Sequence, residues 1–222
     1  MRAEDISEKL QEDGYVVLPD YLKGNPMKEL FFEEVGDILS NSSADKGYKF
    51  GKAERIGSLN KNSKNRIGMS HCFTTPLLEE VRRGKFKADC KFTEIFVTHE
   101  FTDENGLERN GYLHFDRIWT FKYFYYITDT RSQADGPLTV VPGSHVLGKK
   151  LRKAQLATGA PYKEQKNRIE IDFPLVYEEI KSKKTPLYGP AGTLVIFDTD
   201  VFHMGGTVTA GHERKVCRLH MR

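Results

Sequence analysis

The 222-residue sequence is short of several things, and each shortage narrows the field. There are three cysteines, Cys72, Cys90 and Cys217, odd in number and widely scattered, with no Cys-x-x-Cys pair. A thiolate zinc site is therefore disfavoured, and all three read as free thiols of a reducing compartment. Charge of one sign is missing too: 34 Lys and Arg stand against 31 Asp and Glu, a net +3. That balance supplies no pull toward nucleic acid or a membrane surface. No apolar run approaches the length of a membrane span. The opening "MRAEDISEKLQEDG" is acidic and amphipathic and lacks the apolar stretch of a signal peptide. A cytoplasmic protein without nucleic-acid or membrane partners is the expectation. Repeats and low-complexity segments are absent, and the length suits one domain, 1–222.

What is present is aromatic. Fourteen Phe and ten Tyr favour β-structure. The N-terminal part, to about residue 90, reads as mainly helical: a short helix over 4–13, a buried strand "YVVLP" at 15–19, a helix over 25–40 with Pro26 in its first turn, and "PLLEEVRRG" at 76–84. Residues 41–68 are rich in Asn, Ser, Lys and Gly and read as loop with short strands. From about residue 91 the pattern becomes many short strands between Gly and Pro: "FTEIFVTHEF", "YLHFDRIWTFKYFYYIT" as one long strand or two joined by a bend, "LTVVP", "GTLVIF" and "RKVCRLHMR". Residues 149–168 form a basic excursion with little strand character. The whole predicts a mainly β protein with flanking helices, an antiparallel sandwich or barrel.

Within "YLHFDRIW", His114 and Asp116 are two apart in a strand, so their side chains share a face and can converge on one ion. A lone His-x-Asp is a common pattern. A third ligand is offered by His203, after the strand "LVIF" and before two glycines. Two imidazoles and one carboxylate leave positions open for substrate, cosubstrate and O2, which suits non-haem Fe(II). Arg214 lies 214 − 203 = 11 residues further on, at the start of the last strand, where a guanidinium fork can bind a carboxylate.

Taken together these stretches resemble the phytanoyl-CoA dioxygenase family of Fe(II)/2-oxoglutarate-dependent oxygenases. The resemblance begins at "DGYVVLPDYL" (13–22), continues through "HFD" and "DGPLTVVPGSH" (135–145), and ends with "AGTLVIFDTDVFHMGG" and the arginine eleven positions past the second histidine. It implies a double-stranded β-helix, the jelly-roll or cupin-like barrel. His114, Asp116 and His203 match its metal positions, and Arg214 matches the residue that binds the distal carboxylate of 2-oxoglutarate. Thr98 falls where the family often places a polar contact to the keto acid. Tyr125 falls near an aromatic beside the cosubstrate, although Trp119, Tyr123 and Tyr125 alternate on the face opposite His114 and Asp116, which by itself means core packing. Val216 departs from the family, standing where a hydroxyl residue is often found.

The cofactors implied are Fe(II), 2-oxoglutarate as cosubstrate and O2. The expected reaction is hydroxylation of an unactivated C–H bond of a small metabolite or natural-product intermediate, with release of succinate and CO2. The basic segments "NKNSKNR" (60–66) and Lys149–Lys153 could draw an anionic substrate, or simply be solvated surface. Two other readings remain at this stage: a cupin-like metalloenzyme that needs no keto acid, and a non-catalytic ligand-binding barrel.

Overall fold

The computed structural model describes residues 1–42, 51–57, 65–86, 92–101 and 111–222, with the backbone alone at 51–56, 92 and 93. Cys90, most of "NKNSKNR" and the turn-rich link between "FTEIFVTHEF" and "YLHFDRIW" lie outside the described residues. Nine strands are described: β1 (Tyr15–Leu18), β2 (Gly51–Gly57), β3 (Phe92–Phe101), β4 (Phe121–Tyr126), β5 (Leu138–Val140), β6 (Thr185–Leu187), β7 (Leu194–Asp198), β8 (His203–Gly205) and β9 (Glu213–Met221). Six form an antiparallel sheet in the order β1-β7-β4-β9-β3-β2, and three form a second, β6-β5-β8. Both outer strands of the larger sheet, β1 and β2, come from the part of the chain before residue 90.

The two faces of the large sheet bury different partners. On one lie α1 (Ala3–Glu12), α2 (Lys28–Asn41), α3 (Ile67–Phe73) and α4 (Pro76–Phe86). Their Ile6, Leu10, Phe31, Val35, Phe73, Leu78 and Val81 pack against Ile95, Val97, Phe121, Tyr123, Tyr125, Ile196, Cys217 and Leu219. On the other face Phe124, Tyr126, Val195, Phe197 and Val216 meet Leu138, Val140 and Leu187 of the small sheet. A strand covered on both sides has no polar face, which is why β4 reads "FKYFYY" and is buried at every position. Each large apolar side chain so enclosed contributes about 1.5–3 kcal/mol. The Tyr126 hydroxyl ties the sheets together, donating to the Leu187 carbonyl at 2.8 Å and accepting from the Leu138 amide at 2.9 Å.

Polar groups position the helices. The buried Glu34 of α2 accepts from the Gly68 and Met69 amides at 3.0 and 2.7 Å, satisfying free donors at the start of α3. The basic excursion contains a helix, α5 (His145–Ala157), followed by α6 (Ile169–Asp172) and α7 (Pro174–Ile180). Only Gly148 of α5 is buried, so its apolar periodicity is faint in the sequence. A Cβ at Gly148 would stand 1.9 Å from the Asp200 carbonyl oxygen, so the glycine lets α5 cross the turn between β7 and β8. Arg152 clamps that crossing through two bonds to Asp200, at 2.6 and 2.9 Å. No helix among the described residues is long and apolar enough to cross a membrane.

Candidate metal centre

The long aromatic stretch breaks into an irregular segment, 111–120, followed by β4. His114 sits in the irregular part and is held crosswise to His203: the His114 amide donates to the His203 carbonyl at 3.0 Å, and the His203 amide to the His114 carbonyl at 2.8 Å. The Asp116 amide donates to the Thr199 carbonyl at 3.0 Å. The turn after β7 thus fixes Asp116, and it leads into β8, whose first residue, His203, fixes His114. Donor atoms of His114, Asp116 and His203 all lie within 4.8 Å of one another, a grouping that could hold a metal ion. Asp116 Oδ1 is 3.6 Å from His114 Nε2 and 3.5 Å from His203 Nε2.

The ring nitrogens are sorted by the same local device. His114 Nδ1 bonds the Tyr112 carbonyl, and His203 Nδ1 bonds the Val201 carbonyl, each at 2.8 Å. With Nδ1–H donating to a carbonyl two residues back, Nε2 is the nitrogen left with a lone pair, and both Nε2 atoms face Asp116. Burial pushes the His114 imidazole down to about 4, assisted by His203 and opposed by Asp116, so it is neutral at ordinary pH.

Asp116 is divided between two tasks. Its Oδ1 faces the histidines, while Oδ2 is 2.7 Å from Lys122 Nζ and 3.5 Å from Thr120 Oγ1. Burial alone would raise the carboxyl, but Lys122 and the two imidazoles outweigh it and hold the group well below the carboxylate range. The sequence reading missed Lys122. Its signal was a lysine inside "FKYFYY" at the same even parity as 114 and 116. Thr199 was missed as well. Its hydroxyl accepts from the Thr120 amide and donates to the Thr120 carbonyl, each at 2.8 Å.

Arg214 and Thr98 project into the barrel from β9 and β3. Arg214 is 3% exposed and shares Nη2 with Glu100, its cross-strand partner. Its Nε and Nη1, and the Thr98 hydroxyl one diagonal step away, are buried without an acceptor. Three donors that meet no acceptor among the described residues fit a ligand carboxylate. A Cβ at Gly205 would stand 2.9 Å from Arg214 Nη2, so the glycine two residues past His203 lets the guanidinium come up against the strand that carries that ligand. Val216 is buried in the apolar cluster with Tyr126.

Tyr125 is not among these residues, and its expected place beside the cosubstrate is corrected by the geometry. Alternation turns it to the helical face, where its hydroxyl donates to the Cys72 carbonyl at 2.7 Å and its ring lies 5.3 Å from both Phe31 and Phe73. The inward aromatics of β4 are Phe124 and Tyr126.

The donor set, two imidazoles and one carboxylate, suits ferrous iron, and the buried donors around Arg214 suit a keto acid with a free carboxylate. Comparison with solved structures agrees at the level of fold. The nogalamycin-biosynthesis epimerase SnoN superposes with a TM-score of 0.71 at 14% identity, covering 99% of this chain and 82% of that one. EctD from S. alaskensis gives 0.68 at 16%, covering 100% and 77%. HygX from Streptomyces hygroscopicus, solved with nickel and 2-oxoglutarate, gives 0.64 at 14%, covering 98% and 85%. The fold is the jelly-roll, double-stranded β-helix of the iron and 2-oxoglutarate dioxygenases. No curated protein matches the sequence closely enough to count as a relative. The chain belongs to the phytanoyl-CoA dioxygenase (PhyH) family, whose model matches residues 10–216. It is a 2-oxoglutarate-dependent dioxygenase, and its cofactors are iron, 2-oxoglutarate and O2.

Proposed function

We propose that the protein hydroxylates an unactivated C–H bond of a small metabolite or natural-product intermediate, with His114, Asp116 and His203 holding the iron and Arg214 and Thr98 receiving the far carboxylate of 2-oxoglutarate. One observation carries the reading: Asp116 gives a single oxygen to the space between two Nε2 atoms, its other oxygen being taken by Lys122. A carboxylate that contributes one oxygen leaves room for both a chelating keto acid and O2. When bound, iron with 2-oxoglutarate and O2 supplies oxidative decarboxylation to succinate and CO2 and the power to break a C–H bond. The chain's own residues do the rest. The backbone carbonyls of Tyr112 and Val201 fix the imidazoles, Lys122 and Thr120 orient the carboxylate, and Phe124, Phe197 and Val216 form the dry wall of the barrel.

Small natural products are the substrate class that the neighbours support. SnoN has been solved with nogalamycin RO, HygX with hygromycin B and EctD with 5-hydroxyectoine. We take residues 1–222 as one catalytic domain in which the part before about residue 90 flanks the barrel. We assign it to the cytoplasm, in keeping with the free thiols of Cys72 and Cys217.

The test is succinate formation by iron-loaded protein given 2-oxoglutarate in air. Turnover that disappears in His114→Ala and falls steeply in Arg214→Ala is the expected result. No succinate from the parent protein, or turnover indifferent to both substitutions, would sink the proposal. A product gaining one oxygen atom separates hydroxylation from epimerisation, the activity named for SnoN.

A further inference from the structure

The barrel interior contains a second guanidinium. Arg218 lies four residues past Arg214 on the same face of β9, about 13 Å along the strand. Its guanidinium carbon is 4.5 Å from the Phe96 ring centre and 6.0 Å from that of Phe124, an inward aromatic of β4. Its Nε is buried without an acceptor, and among the described residues no carboxylate pairs with it.

Its neighbours link it to the candidate metal centre through Lys122. Arg218 is the cross-strand partner of Phe124, and Lys122 that of His220, so Arg218 and Lys122 are diagonal neighbours on the inward face. Lys122 in turn touches Asp116. Among the described inward groups, Lys122 is matched by Asp116 and Arg214 by Glu100. Glu94 lies diagonal to Arg218 across the β3–β9 pair but makes no ion pair with it, which leaves the Arg218 guanidinium unmatched. An arginine stays protonated, and a half-buried cation without a partner is costly unless a ligand supplies the countercharge. Aromatic rings against the guanidinium leave its hydrogen-bonding edge free, the geometry that receives a carboxylate or phosphate. The cosubstrate does not need this charge: its near carboxylate would find one at the metal and its far carboxylate one at Arg214.

We propose that Arg218 is a specificity-determining residue, and that the prime substrate carries a carboxylate or phosphate which Arg218 receives close to the metal centre. This rests on the reading of that centre as an iron and 2-oxoglutarate site. It assigns an anionic substrate class from inside the barrel, independently of the surface lysines.

The test is made under argon, without turnover. Iron-loaded protein is titrated with 2-oxoglutarate, followed by the visible charge-transfer absorption of the ferrous keto-acid complex. The filled complex is then titrated with hexanoate, hexyl phosphate, hexanol and hexylamine, read as perturbation of that band. Hexanoate and hexyl phosphate should bind about tenfold or more tighter than hexanol, the effect of one charge-assisted pair. Arg218→Met should erase the preference, and Arg218→Lys, which keeps the charge and guards against a folding artefact, should retain part of it. The 2-oxoglutarate titration should move less in Arg218→Met than in Arg214→Met. The proposal is overturned if Arg218→Met weakens 2-oxoglutarate as much as Arg214→Met does, which would make the cosubstrate the source of the anion. It is overturned equally if the parent protein does not prefer the anions, or if the preference survives in Arg218→Met. No band from 2-oxoglutarate in the parent protein would instead overturn the reading of the centre itself.

Discussion

Asp116 and Lys122 are each other's countercharge in a dry place, and that makes removal of one a test of the other. Asp116→Ala should abolish iron binding and also lower the stability of metal-free protein by about 3 kcal/mol, because it strands a buried ammonium. Adding Lys122→Met should recover most of the stability and none of the iron binding. Denaturant unfolding with a parallel metal titration separates the two effects, and an additive double variant would show that the pair is not coupled. Thr98 invites a milder experiment. Its buried hydroxyl has no acceptor among the described residues, so Thr98→Val should leave stability nearly unchanged while weakening 2-oxoglutarate by several-fold, about 1 kcal/mol. At this scale the sequence was informative where spacing carries chemistry: it singled out His114, Asp116 and His203, which the fold brings together, and Arg214, whose part in the site is a proposal. Alternation pointed Tyr125 toward the core, against the place beside the cosubstrate that the resemblance implied for it. Lys122 was harder to see, because a lysine in a strand reads as solvent-facing until a second sheet is known to cover it.

Among the elements, α5 and the turn it crosses support the centre from behind. Gly148→Ala would drive a methyl group into the Asp200 carbonyl. We expect a loss of about 1–3 kcal/mol, with weaker metal binding through displacement of the Thr199 carbonyl that fixes Asp116, measured by thermal unfolding and iron titration. The turn before β5 gives a pH test. Burial would raise the Asp135 carboxyl, but His212 at 2.7 Å, the Arg131 and Ser132 amides and the Ser132 hydroxyl bring it down from 3.8 to about 2. A depressed folded value contributes stability that is complete above the unfolded value and lost as pH falls through the folded one. That contribution, about 1–2 kcal/mol, should therefore fade between pH 4 and 2, and Asp135→Asn should lack it in acid titrations of unfolding. The sequence marked the short strands by Gly and Pro, but not the α5 helix. An exposed helix that buries one glycine has almost no apolar stripe to read.

Across the whole molecule, the part before residue 90 is structural rather than appended. β1 closes the edge of β7 through four paired residues, and β7 leads through one short turn to His203 at the start of β8. Deleting residues 1–18 should expose that edge and one side of the helical core, and the product should aggregate or lose cooperative unfolding, as read by size exclusion and circular dichroism. The pairing of strands far apart in sequence, such as β1 with β7 and β3 with β9, was beyond a single sequence, since each short strand offers several registers of equal pattern. His114 and His203 are locked to each other by backbone bonds, and their rings by local carbonyls, none of which involves the ion. The centre is thus a socket already cut to shape. A chelator should empty it without melting the protein, and nickel or cobalt should drop in afterwards as silent or coloured stand-ins for iron.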